Sequence, residues 1–379
     1  MLVRPAAALS LSGGDLGRML QFFVARGEGR VPAGALARME RAGGPGAAAG
    51  LATTYGLHTQ ALQDQGLTWR GHRGGITGAS AELFYVPDAG VGYFCALNSD
   101  DDDALDELGR TLRAHVARLA QRSTAVPPPA RALGPEVEPF LGWYEPVSLR
   151  YEREHARAAL LDLTPLRAVD GGLRLGGRAL TRGDYLPVAQ APRPLFRRPS
   201  EHEPTLALVR EGVRAGEGEE RLVVTPAGTL RRLPTWQAWL RLGGLALAAV
   251  AMGSSVARAA ALALRRLLRR GGRRAGGALH VWPAVATATL AAGVALEAYG
   301  DPARLGRPTA WAWALTLCSL LFPALALASL ASVLASRARR RGPRPSRAAR
   351  VHAGLVALTL VGVSVYLAAW GLVGVRTWR

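Results

Sequence analysis

At 379 residues the chain is long enough for two or three domains. Its 47 basic residues against 28 acidic ones give a formal net charge of +19, and all 47 are arginine, since the sequence contains no lysine. The basic runs carry no interleaved aromatics and no nucleic-acid motif, so the charge does not point to a nucleic-acid partner; an Arg-, Ala- and Gly-heavy composition fits a GC-rich coding sequence instead.

Taken in order, the first residues, Met1 to Ser10, do not form a signal peptide: the apolar run is short and Arg4-Pro5 interrupts it. From Ala6 to Arg26 a loop leads into an amphipathic helix whose apolar residues are Leu16, Met19, Leu20, Phe22 and Phe23. Ser12 or Asp15 is the expected cap, because either side chain accepts a bond from a free helix N–H group; Asp15 is read as structural. Tyr55-Gly56-Leu57 is expected to be extended, with His58 a strand residue of no chemical role.

The stretch from Trp69 to Asn98 organises what surrounds it. Trp69 to Gly78 predicts a strand running into a glycine-rich turn, Ala79 to Val86 a second strand, Pro87-Asp88-Ala89-Gly90 a turn, and Val91 to Leu97 a third strand. The third strand is small or apolar on both faces, which predicts a place inside a sheet. Glycines 71, 74, 75 and 78 leave the backbone beside His72 bare, so a ligand can approach it closely. Ser99 to Asp103 then places four aspartates at the start of a helix through Leu105, Leu108, Leu112, Val116 and Leu119. Acids there favour the helix dipole, and the spacing is not that of a calcium loop; no metal or other cofactor is expected.

Pro127-Pro128-Pro129 predicts a stiff linker. Beyond it, short strand signals at 149–151, 159–163, 173–175, 185–188, 206–209 and 222–224, with turns such as Asp170-Gly171-Gly172 between them, predict a small antiparallel barrel or sandwich with Trp143, Tyr144 and Phe196 in its core.

From Trp236 the composition changes. Four apolar stretches, about 238–257, 279–299, 309–335 and 351–375, each approach or exceed the ~20 residues that span a ~30 Å hydrocarbon core. Tryptophans 236, 239, 282, 311, 313 and 378 fall mostly near their ends, where indole suits the interface. The first connecting loop carries seven arginines from Arg258 to Arg274, the second only Arg304 and Arg307, and the third seven from Arg337 to Arg350. By the positive-inside rule the first and third loops are cytoplasmic, and both chain ends lie outside. The bilayer is the expected partner, with anionic headgroups against the basic loops. Glu297 is read as an interfacial acid. Cys95 belongs to a strand core and Cys318 to a membrane helix, so no disulfide is expected.

His72-Arg73-Gly74, the Pro-Asp-Ala-Gly turn and the strand ending in Asn98 resemble the third catalytic motif and its flanks in the class C branch of the serine β-lactamase and penicillin-binding-protein superfamily. There His-x-Gly often replaces Lys-Thr-Gly on a strand edging the active site. Leu11-Ser12-Gly13-Gly14-Asp15-Leu16 and Tyr55-Gly56-Leu57 are similar to segments that precede that motif, and the resemblance covers roughly residues 5–122. It implies that His72, Arg73, Gly74 and Gly75 border a substrate site, although Arg73 stands where a small hydroxyl residue is usual. "Gly-x-Tyr … Tyr-x-Pro-Val … Leu-Phe-Arg" after the linker resembles the lipocalin-like domain that often follows such hydrolases.

The family's attacking serine is activated by a lysine in Ser-x-x-Lys. Without lysine that motif cannot exist here, and Tyr-x-Asn is also missing; His72 alone has no nucleophile to serve. The expectation is therefore an α+β partial β-lactamase/transpeptidase-like domain over 1–123, a Pro-rich linker over 124–136, a lipocalin-like antiparallel β-barrel or sandwich over 137–235 and a four-helix transmembrane region over 236–379. As a function, this is the C-terminal portion of a membrane-anchored hydrolase of cell-wall peptides, β-lactams or small esters. It lies outside the cytoplasmic membrane and is inactive by itself, either from a misplaced start codon or a broken gene. The alternative is a genuinely degenerate, non-catalytic membrane protein with an extracytoplasmic binding or scaffolding domain. A transporter fits poorly, since the spans hold no internal repeat.

Overall fold

In the computed structural model the described residues are 11–51, 55–57, 59–76, 78–120, 133–149, 152–176, 182–188, 194–199, 201, 203–212, 219–226, 228–268, 277–300, 308–338 and 345–375. Pro127–Pro129, His58 and much of the arginine-rich loops lie outside them. The chain divides into two compact units, Val3–Ala238 and Trp239–Arg379.

The first unit begins with α1 (Gly13–Val24), α2 (Ala35–Glu40) and α3 (Gly44–Ala48). Ser12 and Asp15 act together in a capping box on α1: the Ser12 hydroxyl accepts from the Asp15 N–H, and the Asp15 carboxylate accepts from the Ser12 N–H. The Ser12 hydroxyl, which donates to the Asp15 carboxylate at 2.7 Å, and then the Ser12 N–H hold the exposed Asp15 carboxyl below its usual range. A four-stranded antiparallel sheet follows, in the order β1 (Gln60–Asp64), β2 (Leu67–Ile76), β3 (Ala79–Val86), β4 (Val91–Leu97). Helix α4 (Asp102–Leu119) closes the module, with Asp101 as its N-cap.

Alternation along the strands sends residues to two covered faces. Trp69, Phe84, Val86 and Tyr93 pack under α4 through Val116 and Ala117. Tyr85 and Leu83 pack on the other face against Phe23 and Met19 of α1 and Leu36 of α2. The double covering explains why β4 is small or apolar on both sides even though it is the edge of the sheet among the described residues, not an interior strand. Gly109 of α4 is required by close approach: a Cβ there would stand 1.9 Å from Glu82 Oε1.

The second module is a closed eight-stranded antiparallel barrel. Its strands are β5 (Gly142–Pro146), β6 (Thr164–Val169), β7 (Gly172–Leu175), β8 (Gly183–Pro187), β9 (Leu195–Arg197), β10 (Leu206–Glu211), β11 (Glu220–Thr225) and β12 (Gly228–Leu233), with β12 paired to β5 and β9 to β10. Tyr144, Leu166, Leu173, Tyr185, Phe196 and Leu206 fill its interior. Tyr144 and Phe196 lie in the core as expected, whereas Trp143, one residue from Tyr144, is only half-buried and faces away from that cluster. The strand expected at 159–163 is instead the end of a helix, α5 (Glu152–Leu161), and Leu149 lies in no strand. Ala49 and Leu51 pack on the barrel exterior against Leu195, Ala207, Leu222 and Val224, so the two modules share one unit.

The second unit holds four helices long and apolar enough to cross a membrane, as in a multi-pass membrane protein. They are α6 (Thr235–Leu268), α7 (Gly277–Ala298), α8 (Ala310–Ala338) and α9 (Arg347–Ala369). The fourth ends at Ala369, short of the expected 375: Trp370 caps it and Gly371 takes φ +67°, a left-handed turn that stops the helix. The chain then folds onto α8, where the Thr316 hydroxyl donates to the Val375 carbonyl at 2.6 Å. Polar side chains also join the helices, as between Ser254 and His352 Nε2 at 2.9 Å.

Candidate functional site

The site centres on the far half of β2. β1 pairs with β2 only from Leu67 to Gly71, whereas β3 pairs with it as far as Ile76. Among the described residues, no strand therefore covers His72 to Ile76 on the β1 side. An edge not laddered by a neighbouring strand is the kind of surface to which an extended ligand adds. Gly74 and Gly75 are exposed, and nothing lies within 4 Å of where a Gly74 Cβ would stand.

Alternation separates the four residues of the motif. His72 and Gly74 lie on the α1 side of the sheet, while Arg73 and Gly75 belong to the α4 side. Arg73 reaches the start of α4, where it pairs with Asp106 and donates to the Asp102 carbonyl at 2.9 Å. The sequence expectation grouped Arg73 with His72; the pleat of the strand parts them, and Arg73 anchors α4 to the sheet.

His72 is held at both ring nitrogens. Nδ1 lies 2.5 Å from the Arg73 carbonyl, and Nε2 lies 3.1 Å from the Tyr55 hydroxyl. A carbonyl can only accept, so Nδ1 carries the proton and Nε2 is left to accept from the Tyr55 O–H. The two rings meet edge-on, 5.9 Å between centroids. Tyr55 is fixed through its backbone: Gly43 N–H donates to the Tyr55 carbonyl at 3.0 Å, and Leu57 N–H donates to Met39 O at 2.8 Å. These residues are coil, not the expected strand, because their partners are Met39 in the last turn of α2 and Gly43 in the loop after it, not a ladder. The motif reading singled out His72 but not its Tyr55 partner; the only signal was the Tyr-Gly-Leu resemblance.

Arg70 shares the face of His72, two residues earlier, and one of its guanidinium nitrogens is buried with no hydrogen-bond partner among the described residues. Beside it, Glu40 is buried and receives three bonds: a two-pronged pair from Arg26 at 2.5 and 2.8 Å and the Tyr85 hydroxyl at 2.6 Å. Burial, then the bond to Glu40, pushes the Tyr85 hydroxyl far above its ordinary range. The α4 face holds a second network. Arg113 donates to Asp64 at 2.5 Å and to the Tyr93 hydroxyl at 2.7 Å, and Tyr93 donates to Glu82 at 2.6 Å. Burial, then Glu82, raises Tyr93 in the same way, and burial pushes the Cys95 thiol up to about 11. Arg26 and Glu40 tie the helices of one face to Tyr85 of the sheet, and Arg113 ties α4 to the other face.

Among the described residues no group of three or more His, Cys, Asp or Glu is gathered for a metal ion. No family model matches the chain, and no curated protein matches it. Among solved structures, "Crystal structure of SurE" aligns at TM-score 0.33 and 19% identity over 59% of this chain and 48% of that one. "Crystal structure of SurE with D-Leu" aligns at TM-score 0.33 and 20% identity over 59% of this chain and 50% of that one. The chain thus spans about half the length of the solved structures it matches. A likeness this slight carries no argument about fold or activity.

Proposed function

We propose that this chain is the C-terminal portion of a membrane-anchored, β-lactamase-related serine hydrolase that acts outside the cytoplasmic membrane on amides or esters of cell-wall-peptide, β-lactam or small-ester type. The observation that supports it most is the far half of β2, where among the described residues no strand pairs on the β1 side and His72 and Gly74 share one face beside the Tyr55 hydroxyl. An extended acyl substrate would add to that edge through main-chain bonds, with the glycines giving it room. The imidazole, oriented by the Arg73 carbonyl, would bind a substrate carboxylate or pass a proton to and from Tyr55. The lipocalin-like character of the barrel and the extracytoplasmic placement of the first unit belong to the same reading. The arginine bias of the first and third helix-connecting loops supports the placement.

The attacking serine and its lysine are not in these 379 residues, which hold no lysine at all. The chain alone is therefore proposed to be inactive, with the missing pair encoded upstream. A second reading, a non-catalytic extracytoplasmic binding or scaffolding domain, is favoured by that same absence. Two tests separate them. Reading the DNA before Met1 should reveal an in-frame Ser-x-x-Lys and Tyr-x-Asn; an immediate stop behind a good ribosome-binding site supports the scaffold. Protease added to intact spheroplasts should cut within residues 11–233, and full protection would overturn the extracytoplasmic placement.

A further inference from the structure

We propose that the crevice where α6, α7 and α9 meet binds the headgroup of one anionic phospholipid that carries both a phosphate and a hydroxyl, through Arg258 and His352. Three contacts set the ends of α6 and α8 level with the starts of α7 and α9. Ser254 Oγ lies 2.9 Å from His352 Nε2, Ser255 Oγ lies 3.4 Å from Thr287 Oγ1, and Leu279 packs with Val333 and Ala353. His280, His352 and Ser255 line a narrow crevice at this level. Arg258 follows Ser254 and Ser255 by one turn on the same face of α6. It is half-buried and lies within electrostatic reach of both imidazoles.

The hydrogen bonds fix what His352 offers a ligand. The Ser254 hydroxyl donates its one proton to the Ala251 carbonyl at 2.8 Å, so toward His352 it accepts. Nε2 therefore carries the proton of the neutral ring, and Nδ1 is a bare acceptor. That Nδ1 is buried with no hydrogen-bond partner among the described residues. A buried acceptor left unmatched is costly, and a donor from outside the protein relieves it.

The charge at this end is unbalanced. From Trp239 to Arg379 the sequence holds only two acids, Glu297 and Asp301. Glu297 falls in the last turn of α7, at the opposite end of that helix from His280, and Asp301 comes after it. The loops after α6 and α8, in contrast, each bring arginines to the crevice end. No carboxylate of this unit is therefore placed to neutralise Arg258, and the anion must come from outside. The depth suits a headgroup. His280 lies in the first turn of α7 and His352 about one and a half turns into α9. The exposed Trp282, two residues beyond His280, marks the interface. A lipid phosphate would pair with the Arg258 guanidinium while a headgroup hydroxyl donates to His352 Nδ1, as in basic pockets between membrane helices.

The test uses the full chain in nanodiscs of phosphatidylcholine and phosphatidylglycerol in equal amounts. Native mass spectrometry of the released protein identifies the lipids that stay bound. One phosphatidylglycerol should be retained in preference to phosphatidylcholine. Arg258→Gln should lower its occupancy by about fivefold, and His352→Phe by about threefold. Arg258→Lys, which keeps the charge, should retain the lipid, and Arg265→Gln, at an exposed position two turns on, should leave it unchanged. Equal retention of the two lipids would overturn the proposal, as would equal losses at Arg258 and Arg265, which mark a diffuse basic surface. Loss in Arg258→Lys, or none in His352→Phe, would also overturn it. So would displacement of the lipid by inorganic phosphate, which would make the crevice a site for a soluble anion.

Discussion

The Tyr55 hydroxyl and His72 Nε2 stand 3.1 Å apart, while Nδ1 of the same imidazole faces the Arg73 carbonyl. The pair is exposed, so it adds little to stability and is placed for chemistry. Replacing Tyr55 with Phe is expected to cost less than about 1 kcal/mol in unfolding. The same change should shift the nitrogen resonance of His72 Nε2 toward that of an imidazole without its donor. An unchanged resonance would mean that the two side chains do not meet in solution.

Two glycines, Gly74 of β2 and Gly109 of α4, should behave oppositely on substitution. A Cβ at Gly109 would collide with the Glu82 carboxylate, whereas one at Gly74 meets nothing within 4 Å. Gly109→Ala is therefore expected to lower stability by about 2 kcal/mol or more, through displacement of a buried charged group. Gly74→Ala should fall within about 1 kcal/mol of the wild type. Denaturant midpoints of the solubilised chain measure both, and equal effects would contradict the placement of α4 on the sheet.

The hairpins from Leu67 to Leu97 were legible because their glycines and the Pro-Asp-Ala-Gly turn punctuate apolar runs in a period of two. The start of α1 was legible for a similar reason, since Ser12 and Asp15 carry a cap in their own spacing. Ala159–Leu163 misled because a short apolar run fits a buried strand as well as the last turn of a helix. Strand β12 was missed because Arg231 and Arg232 interrupt its apolar pattern. His72 could be found from its glycines; its contact with Tyr55 could not, because it depends on where Gly43 and Met39 hold a distant segment. Nor could the sequence show that Arg73 turns to α4, which follows from the pleat once the register with β3 is known.

Arg113 and Arg73 both join α4 to the sheet, but burial separates their weights. The Arg113 side chain is 9% exposed and faces a Glu82 side chain that is 3% exposed. Arg113→Ala is expected to cost about 3–5 kcal/mol, because it leaves a buried carboxylate without its cation. Arg73 pairs with Asp102 and Asp106 at the surface, and Arg73→Ala should cost no more than about 1 kcal/mol, an amount that shrinks as salt is raised. Thermal denaturation at low and high salt distinguishes the two.

Alkaline pH should loosen the first unit. The Tyr85 and Tyr93 hydroxyls are held well above their ordinary value of 10.0 by burial and by bonds to Glu40 and Glu82. In the unfolded chain they ionise near that value, while in the fold they remain protonated. Above it the unfolded chain binds fewer protons than the folded one, so stability that is complete below about pH 10 falls as pH rises further. Denaturant midpoints should hold between about pH 8 and 9.5 and decline by about pH 11. A midpoint that stays level to that pH would contradict the buried tyrosine networks.

Reaction with a fluorescent penicillin or fluorophosphonate tests the central claim most directly. The account expects no covalent adduct on these 379 residues alone. It expects labelling of a product extended by the upstream reading frame, with the rate falling at least about tenfold when His72 is changed to Ala. An adduct on this chain by itself, or labelling of the extended product that ignores His72, would contradict it.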